Sequence, residues 1–111
     1  MAITQTQSKV EASVVNKAQG SFLDDVASPA AATLTVGFIP RYVAWHNVTD
    51  RISYEWFQGA AAGTTLKTVA AGTRTLDTAD VAISVNATTG VITIGAAAIL
   101  QNKQNRWVAE G

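Results

Sequence analysis

The sequence predicts an all-β domain, an antiparallel β-sandwich or barrel-like body of about seven to eight short strands, preceded by an extended N-terminal arm. Three observations carry this expectation. From Ala32 onward, short runs rich in Val, Ile, Thr and aromatic residues recur between Gly, Asn and Asp turn signals. Hydrophobic residues make up 48% of the chain and charged residues 14%, enough apolar material for one packed core in 111 residues. Residues 1–30 differ from the rest: Gln, Ser, Asn and Lys mix with scattered valines, and the segment runs through Asp24 and Asp25 into an Ala-Ser-Pro-Ala-Ala stretch. The chain thus divides into an arm, 1–30, and a β-sandwich domain, 31–111.

Within the arm, Val10, Val14 and Val15 fit one helical stripe, yet their β-branching and Ser13 suit a short strand equally well. Thr33 to Phe38 is the first clear strand, with Gly37 and Pro40 bending the chain or placing Pro40 at an edge. Arg41–Asn47 and Arg51–Phe57 form a hairpin around Asn47-Val48-Thr49-Asp50, whose Asn and Asp side chains suit a tight turn. Alternation puts Tyr42, Ala44 and His46 on one face and Val43 and Trp45 on the other. Across the turn, Ile52, Tyr54 and Trp56 alternate with Ser53, Glu55 and Phe57. Aromatic residues therefore fall on both faces. One face is expected to meet a second sheet and the other the arm or another subunit.

Gln58 to Gly63 is a small-residue connection. Thr64–Ala70 resumes alternation, Ala71-Gly72 turns the chain, and Thr73–Leu76 is a short strand before the turn Asp77–Asp80. Val81–Val85 and Val91–Ile94 form a second hairpin around Asn86–Gly90. Gly95–Leu100 fits a single helical turn, and Asn102–Asn105 turns into a closing strand, Arg106–Glu110.

The formal net charge is zero, so no long-range field draws the chain to nucleic acid or an anionic membrane. No run approaches the ~20 apolar residues of a spanning helix, and neither nucleic acid nor membrane is expected as a partner. The first residues lack the basic start and apolar core of a signal peptide, so secretion by that route is not expected. The absence of cysteine removes disulfides and thiolate chemistry and fits a reducing cytoplasm.

Motifs of catalytic type are equally sparse. His46 is the single histidine, so a His cluster for a metal cannot form within one chain, and a triad would need Ser or Thr and Asp converging on it. Asp24-Asp25 and Asp77/Asp80 lack the alternating carboxylates of a calcium loop. Glu55 stands alone mid-strand and suits a cross-strand pair with Arg41 or Arg51. Gly59–Gly63 has no following Lys-Ser/Thr and is no phosphate loop. Asn47-Val-Thr49 and Asn86-Ala-Thr88 match the glycosylation pattern but read as turns. No catalytic activity, cofactor or metal is expected. The large anchors are Trp45, Trp56 and Trp107, which suit a core, a protein interface or a stacking platform for a ligand. Val14, Val15, Phe22, Trp45 and Trp56 are the candidate protein-interface residues.

Gly37-Phe38-Ile39-Pro40-Arg41-Tyr42-Val43, followed by Asn47-Val48-Thr49-Asp50 and Tyr54-Glu55-Trp56, resembles small structural proteins encoded in tailed-bacteriophage virion gene clusters, of the head decoration (cement) type. The likeness extends through Lys67–Arg74, Gly90–Gly95 and Arg106–Ala109, covering about residues 32–111 and leaving the arm outside. It implies assembly in the host cytoplasm and attachment to the capsid exterior, with the major capsid protein and further copies of the chain, as a dimer or trimer, for partners. The arm is then expected to strap across capsid subunits by strand addition and small apolar anchors. A tail, baseplate or fibre component is the structural alternative, and a carbohydrate-binding adhesion module using Trp45 or Trp56 is the alternative of another class.

Overall fold

The computed structural model describes residues 16–111. In chain order they form β1 (Lys17–Phe22), β2 (Ala32–Leu34), β3 (Tyr42–Asn47), β4 (Ile52–Phe57), β5 (Thr65–Thr68), β6 (Arg74–Asp77), β7 (Ile83–Val85), β8 (Ile92–Ile94), one helical turn α1 (Ala96–Ile99), and β9 (Asn105–Glu110). A six-stranded sheet runs β1-β9-β3-β4-β5-β6 and a three-stranded sheet runs β2-β8-β7, all neighbours antiparallel. The body is a sandwich of unequal layers, and neither sheet closes into a barrel.

Local chemistry sets the turns. Asn47 Oδ1 accepts the Asp50 N–H at 2.9 Å while its amide donates to Asp50 Oδ2 at 3.0 Å, so one buried side chain closes the β3–β4 hairpin. Asn86 Oδ1 accepts from the N–H groups of Thr88 and Thr89, and Gly90 ends that turn at φ 76°. A Cβ on Gly90 would stand 2.3 Å from the Phe38 carbonyl oxygen, so glycine is required there by space as well as by backbone angle. Both glycosylation-type asparagines thus serve as turn residues.

The core lies between the layers. Val43, Trp45, Tyr54 and Ala109 from the large sheet meet Ile83, Ile92 and Ile94 from the small one, with Ala82, Ala98 and Ile99 closing one end. Trp45 is fully buried and donates its indole N–H to Ala98 O at 3.0 Å, so α1 is fastened to the centre of the sheet.

Several boundaries move relative to the sequence expectations. The first strand of the body stops at Leu34 rather than Phe38, where its ladder reaches Ile92, the first residue of β8; Gly37 beyond it takes a left-handed φ of 82°, though Val36 and Phe38 still pack on the core. The division at residue 30 changes most: Lys17–Phe22 is paired along its whole length with β9 and is part of the six-stranded sheet. Gly20 sits opposite Trp107, where a Cβ would come within 2.9 Å of the indole. Phe22, expected as an outward anchor, instead packs its ring 5.7 Å from Trp45. Val14 and Val15 lie outside the described residues.

Candidate interaction surfaces

Strand register orders the face of the large sheet that points away from the small one. Directly opposed residues form three rows: Ser21-Arg106-His46-Ser53-Thr68-Arg74, Gln19-Val108-Ala44-Glu55-Leu66-Leu76, and Lys17-Glu110-Tyr42-Phe57. The first row is basic and hydroxylic. The second holds the apolar centre. The third ends in an aromatic pair, Tyr42 and Phe57, with ring centroids 5.2 Å apart.

No element of the described residues covers this face. Phe57 remains 50% exposed and Leu76 75%, while Tyr42, Leu66 and Val108 are half-buried only by their neighbours. Ala44 is 2% exposed because the taller side chains around it shade it. Tyr42 donates its hydroxyl to Glu55 Oε2 at 2.9 Å, which holds both side chains flat across the sheet. Burial, then that hydrogen bond and the Glu55 charge, push the Tyr42 phenol up to about 12. Glu55 is therefore paired with a tyrosine of its own hairpin. His46 Nδ1 lies 2.9 Å from Ser53 Oγ, but among the described residues no carboxylate is hydrogen-bonded to the imidazole, so the third member of a triad is missing.

A concave feature opens on the sandwich beside Trp56. A pocket of about 310 Å³ is lined by Ile39, Pro40, Trp56, the 58–63 loop, Ser84 and Val85. Trp56 is half-buried there, and its indole N–H donates to no group among the described residues. Gln58 and Ser84 supply polar groups at the rim of an otherwise apolar wall.

Behind the sheet, Asp80 Oδ2 accepts from both the Tyr54 hydroxyl and Lys67 Nζ at 2.8 Å, and Lys67 also lies 5.5 Å from the Tyr54 ring centre. Burial, then the Asp80 hydrogen bond, push the Tyr54 phenol up to about 12. The hydrogen bonds from Lys67 and Tyr54 hold Asp80 below the usual carboxylate range, and the Asp80 bond raises Lys67. This cluster ties β4 and β5 to the loop that enters β7. The next residue, Val81, takes φ 44°, a left-handed conformation that a β-branched residue adopts only under constraint. Asp77, expected as a turn residue, does accept the Asp80 N–H at 3.2 Å.

The candidate interface residues thus scatter. Trp45 is core, Phe22 is half-buried against it, Trp56 lines the pocket, and Trp107 packs against the core beside β1. Sequence reasoning missed Leu66, Leu76 and Val108, although the alternation of Leu66 with Thr65 and Lys67 carried the signal that a leucine shares a face with Glu55 and Phe57. Among the described residues no three His, Asp or Glu side chains gather to hold a metal ion, and no helix is long and apolar enough to cross a membrane. No protein-family model matches the chain, and neither a curated protein nor a solved structure matches it.

Proposed function

We propose that the chain is a virion structural protein of a tailed bacteriophage, a capsid decoration (cement) protein that binds and stabilises the outer head shell. One observation carries the reading: among the described residues, elements pack against one face of the large sheet only, which leaves Tyr42, Phe57, Leu66, Leu76 and Val108 together on the other. An open sheet face with an apolar centre, a basic row and an acid-tyrosine pair is suited to a partner surface rather than to a small substrate. The resemblance of residues 32–111 to phage decoration proteins supports reading that partner as the major capsid protein. On a repeating shell, many modest contacts of this kind combine into firm attachment.

The test uses heads prepared without the protein. Added back, the wild-type chain is expected to decorate the shell at regular positions in electron cryomicroscopy and to raise the temperature at which heads release DNA. Phe57→Asp combined with Leu66→Lys is expected to abolish decoration while the circular dichroism spectrum stays unchanged. Decoration of tails or baseplates instead would move the protein to the tail. Deleting residues 1–15 tests the strap and spares β1; undiminished decoration would remove the arm from the attachment.

A second reading rests on the Trp56 pocket. Trp45, fully buried, cannot present a stacking surface, but Trp56 offers an indole face and a spare N–H beside Gln58 and Ser84, which suits a sugar ring. Quenching of tryptophan fluorescence by a glycan, lost in Trp56→Ala, would favour adhesion; silence across a glycan array would remove it.

A further inference from the structure

We propose that two copies of this chain pair through their β6 strands, antiparallel about a two-fold axis through Leu76, to form one continuous sheet. The proposal does not depend on the virion reading. It starts from the free edge: β6 ends the six-stranded sheet, with β5 on one side and no strand of the described residues on the other.

The backbone is set for addition. The β5–β6 hairpin closes with Gly72 N–H donating to Val69 O at 2.8 Å and Val69 N–H donating to Thr73 O at 3.1 Å. Hydrogen-bonded pairs alternate along an antiparallel ladder, so Lys67/Thr75 and Thr65/Asp77 are the bonded pairs toward β5. Arg74 and Leu76 then point their N–H and C=O groups outward. Leu76, the residue with its backbone groups pointing outward, is also the most exposed large hydrophobic among the described residues, at 75%. Edge strands that must stay alone are usually guarded by proline, a bulge or an inward charge. β6 has no proline and no bulge, and the charge on its inner face, Asp77, is engaged within its own chain by the Asp80 N–H at 3.2 Å.

Self-complementarity selects both the occupant and the register. A two-fold axis normal to the sheet keeps side chains on their own faces, so residues facing each other across the seam must share parity. With Leu76 on the axis, the central outer row becomes Leu66-Leu76-Leu76-Leu66 across both copies, an apolar ladder built from residues now exposed or half-exposed. On the other face, Thr75 stands opposite the second copy's Asp77 twice over, a hydroxyl donor against a carboxylate. The neighbouring registers are worse. An axis on Asp77 or Arg74 would oppose like charges, and an axis on Thr75 would set Leu76 against Arg74. The formal net charge of zero means that two copies do not repel. A two-fold edge pairing closes at two copies, so the outcome is a dimer and not a trimer.

Sedimentation velocity on the full chain tests this. The wild type is expected to sediment as a concentration-dependent dimer at micromolar concentration. Leu76→Pro removes only an outward N–H, which leaves the β5 ladder complete, and is expected to give monomer; Leu76→Lys is expected to do the same by charge. Leu23→Lys, at an exposed leucine far from β6, should leave the dimer intact. In the chain's cysteine-free background, Leu76→Cys places two thiols on opposed residues whose Cα atoms are about 5.5 Å apart. A short bis-maleimide should then link copies many-fold faster than it links Leu23→Cys. A monomeric or trimeric wild type, a dimer that survives both Leu76→Pro and Leu76→Lys, or equal cross-linking at the two cysteine positions would each overturn the proposal.

Discussion

The two faces of the β3–β4 hairpin carry aromatic residues at the same alternation, and they end in opposite environments. On the inner face Val43, Trp45 and Tyr54 are buried under the small sheet and α1. On the outer face Tyr42 and Phe57 pair with each other, and Phe57 keeps half its surface in solvent. The inner aromatics are also polar-satisfied from a distance in sequence, Trp45 by Ala98 O and Tyr54 by Asp80. The outer tyrosine finds its partner, Glu55, within the hairpin itself. An aromatic residue's role on a strand is thus decided by what is stacked on its face, since the strand alone offers both faces equally.

Substitution is the most direct way to break this contrast. Trp45→Ala is expected to cost about 4 kcal/mol, the range for emptying a fully buried aromatic site, and it also leaves Ala98 O without its donor. Phe57→Ala, on the open face, should change stability by less than about 1 kcal/mol. Equal losses in urea unfolding would mean that the outer face is covered in solution. The Asp80 cluster comes next. Asp80→Ala strands the Tyr54 hydroxyl and Lys67 in a partly buried site and should cost about 2 kcal/mol, whereas Tyr54→Phe, which leaves the Lys67–Asp80 pair, should cost about 1 kcal/mol.

Val81→Gly has the opposite expected sign. Relieving a left-handed β-branched residue should add about 1 kcal/mol, read as a rise in the urea midpoint with an unchanged slope. If the midpoint falls, the contact of Val81 with the 58–63 loop matters more than its backbone.

The smallest effect is spectroscopic. Tyr42 and Tyr54 are the chain's two tyrosines, both pushed up to about 12, so absorbance at tyrosinate wavelengths should rise well above the ordinary value of 10.0. The linkage sign follows. The folded phenols hold their protons more tightly than the unfolded ones, so their contribution is complete below pH 10 and is lost as pH climbs toward about 12. Lys67, also raised, acts in the same direction. Asp80 is lowered, so its contribution is present above its ordinary 3.8 and is lost as pH falls through its folded value. In Asp80→Asn, Tyr54 should titrate earlier while Tyr42 stays unchanged, which separates the two faces in one measurement.

Much of the fold was legible because it is local. The turn chemistry of Asn47 and Asp50, the Asn86–Gly90 reversal and the helical turn at Ala96–Ile99 all depend on residues within a few positions of one another. β1 was hidden because Gly20 and its polar neighbours have little strand character; pairing with β9, nearly ninety positions away, makes the strand. The interface candidates fared worse for a related reason. Trp45 was legible as a large anchor and Phe22 as a smaller one, but alternation does not reveal that Trp45 is fully buried or that Phe22, half-buried, packs its ring against it.

Alternation and turn chemistry along the chain were enough to read an antiparallel β protein, the positions where its two hairpins turn, and aromatic residues on both faces of the first hairpin. Tertiary packing settled which face became core, because the small sheet and α1 lie against one side of β3, β4 and β9 and no element of the described residues lies against the other. It also left β6 at an edge with Leu76 exposed, since strand order depends on long-range pairing that alternation along the chain does not encode.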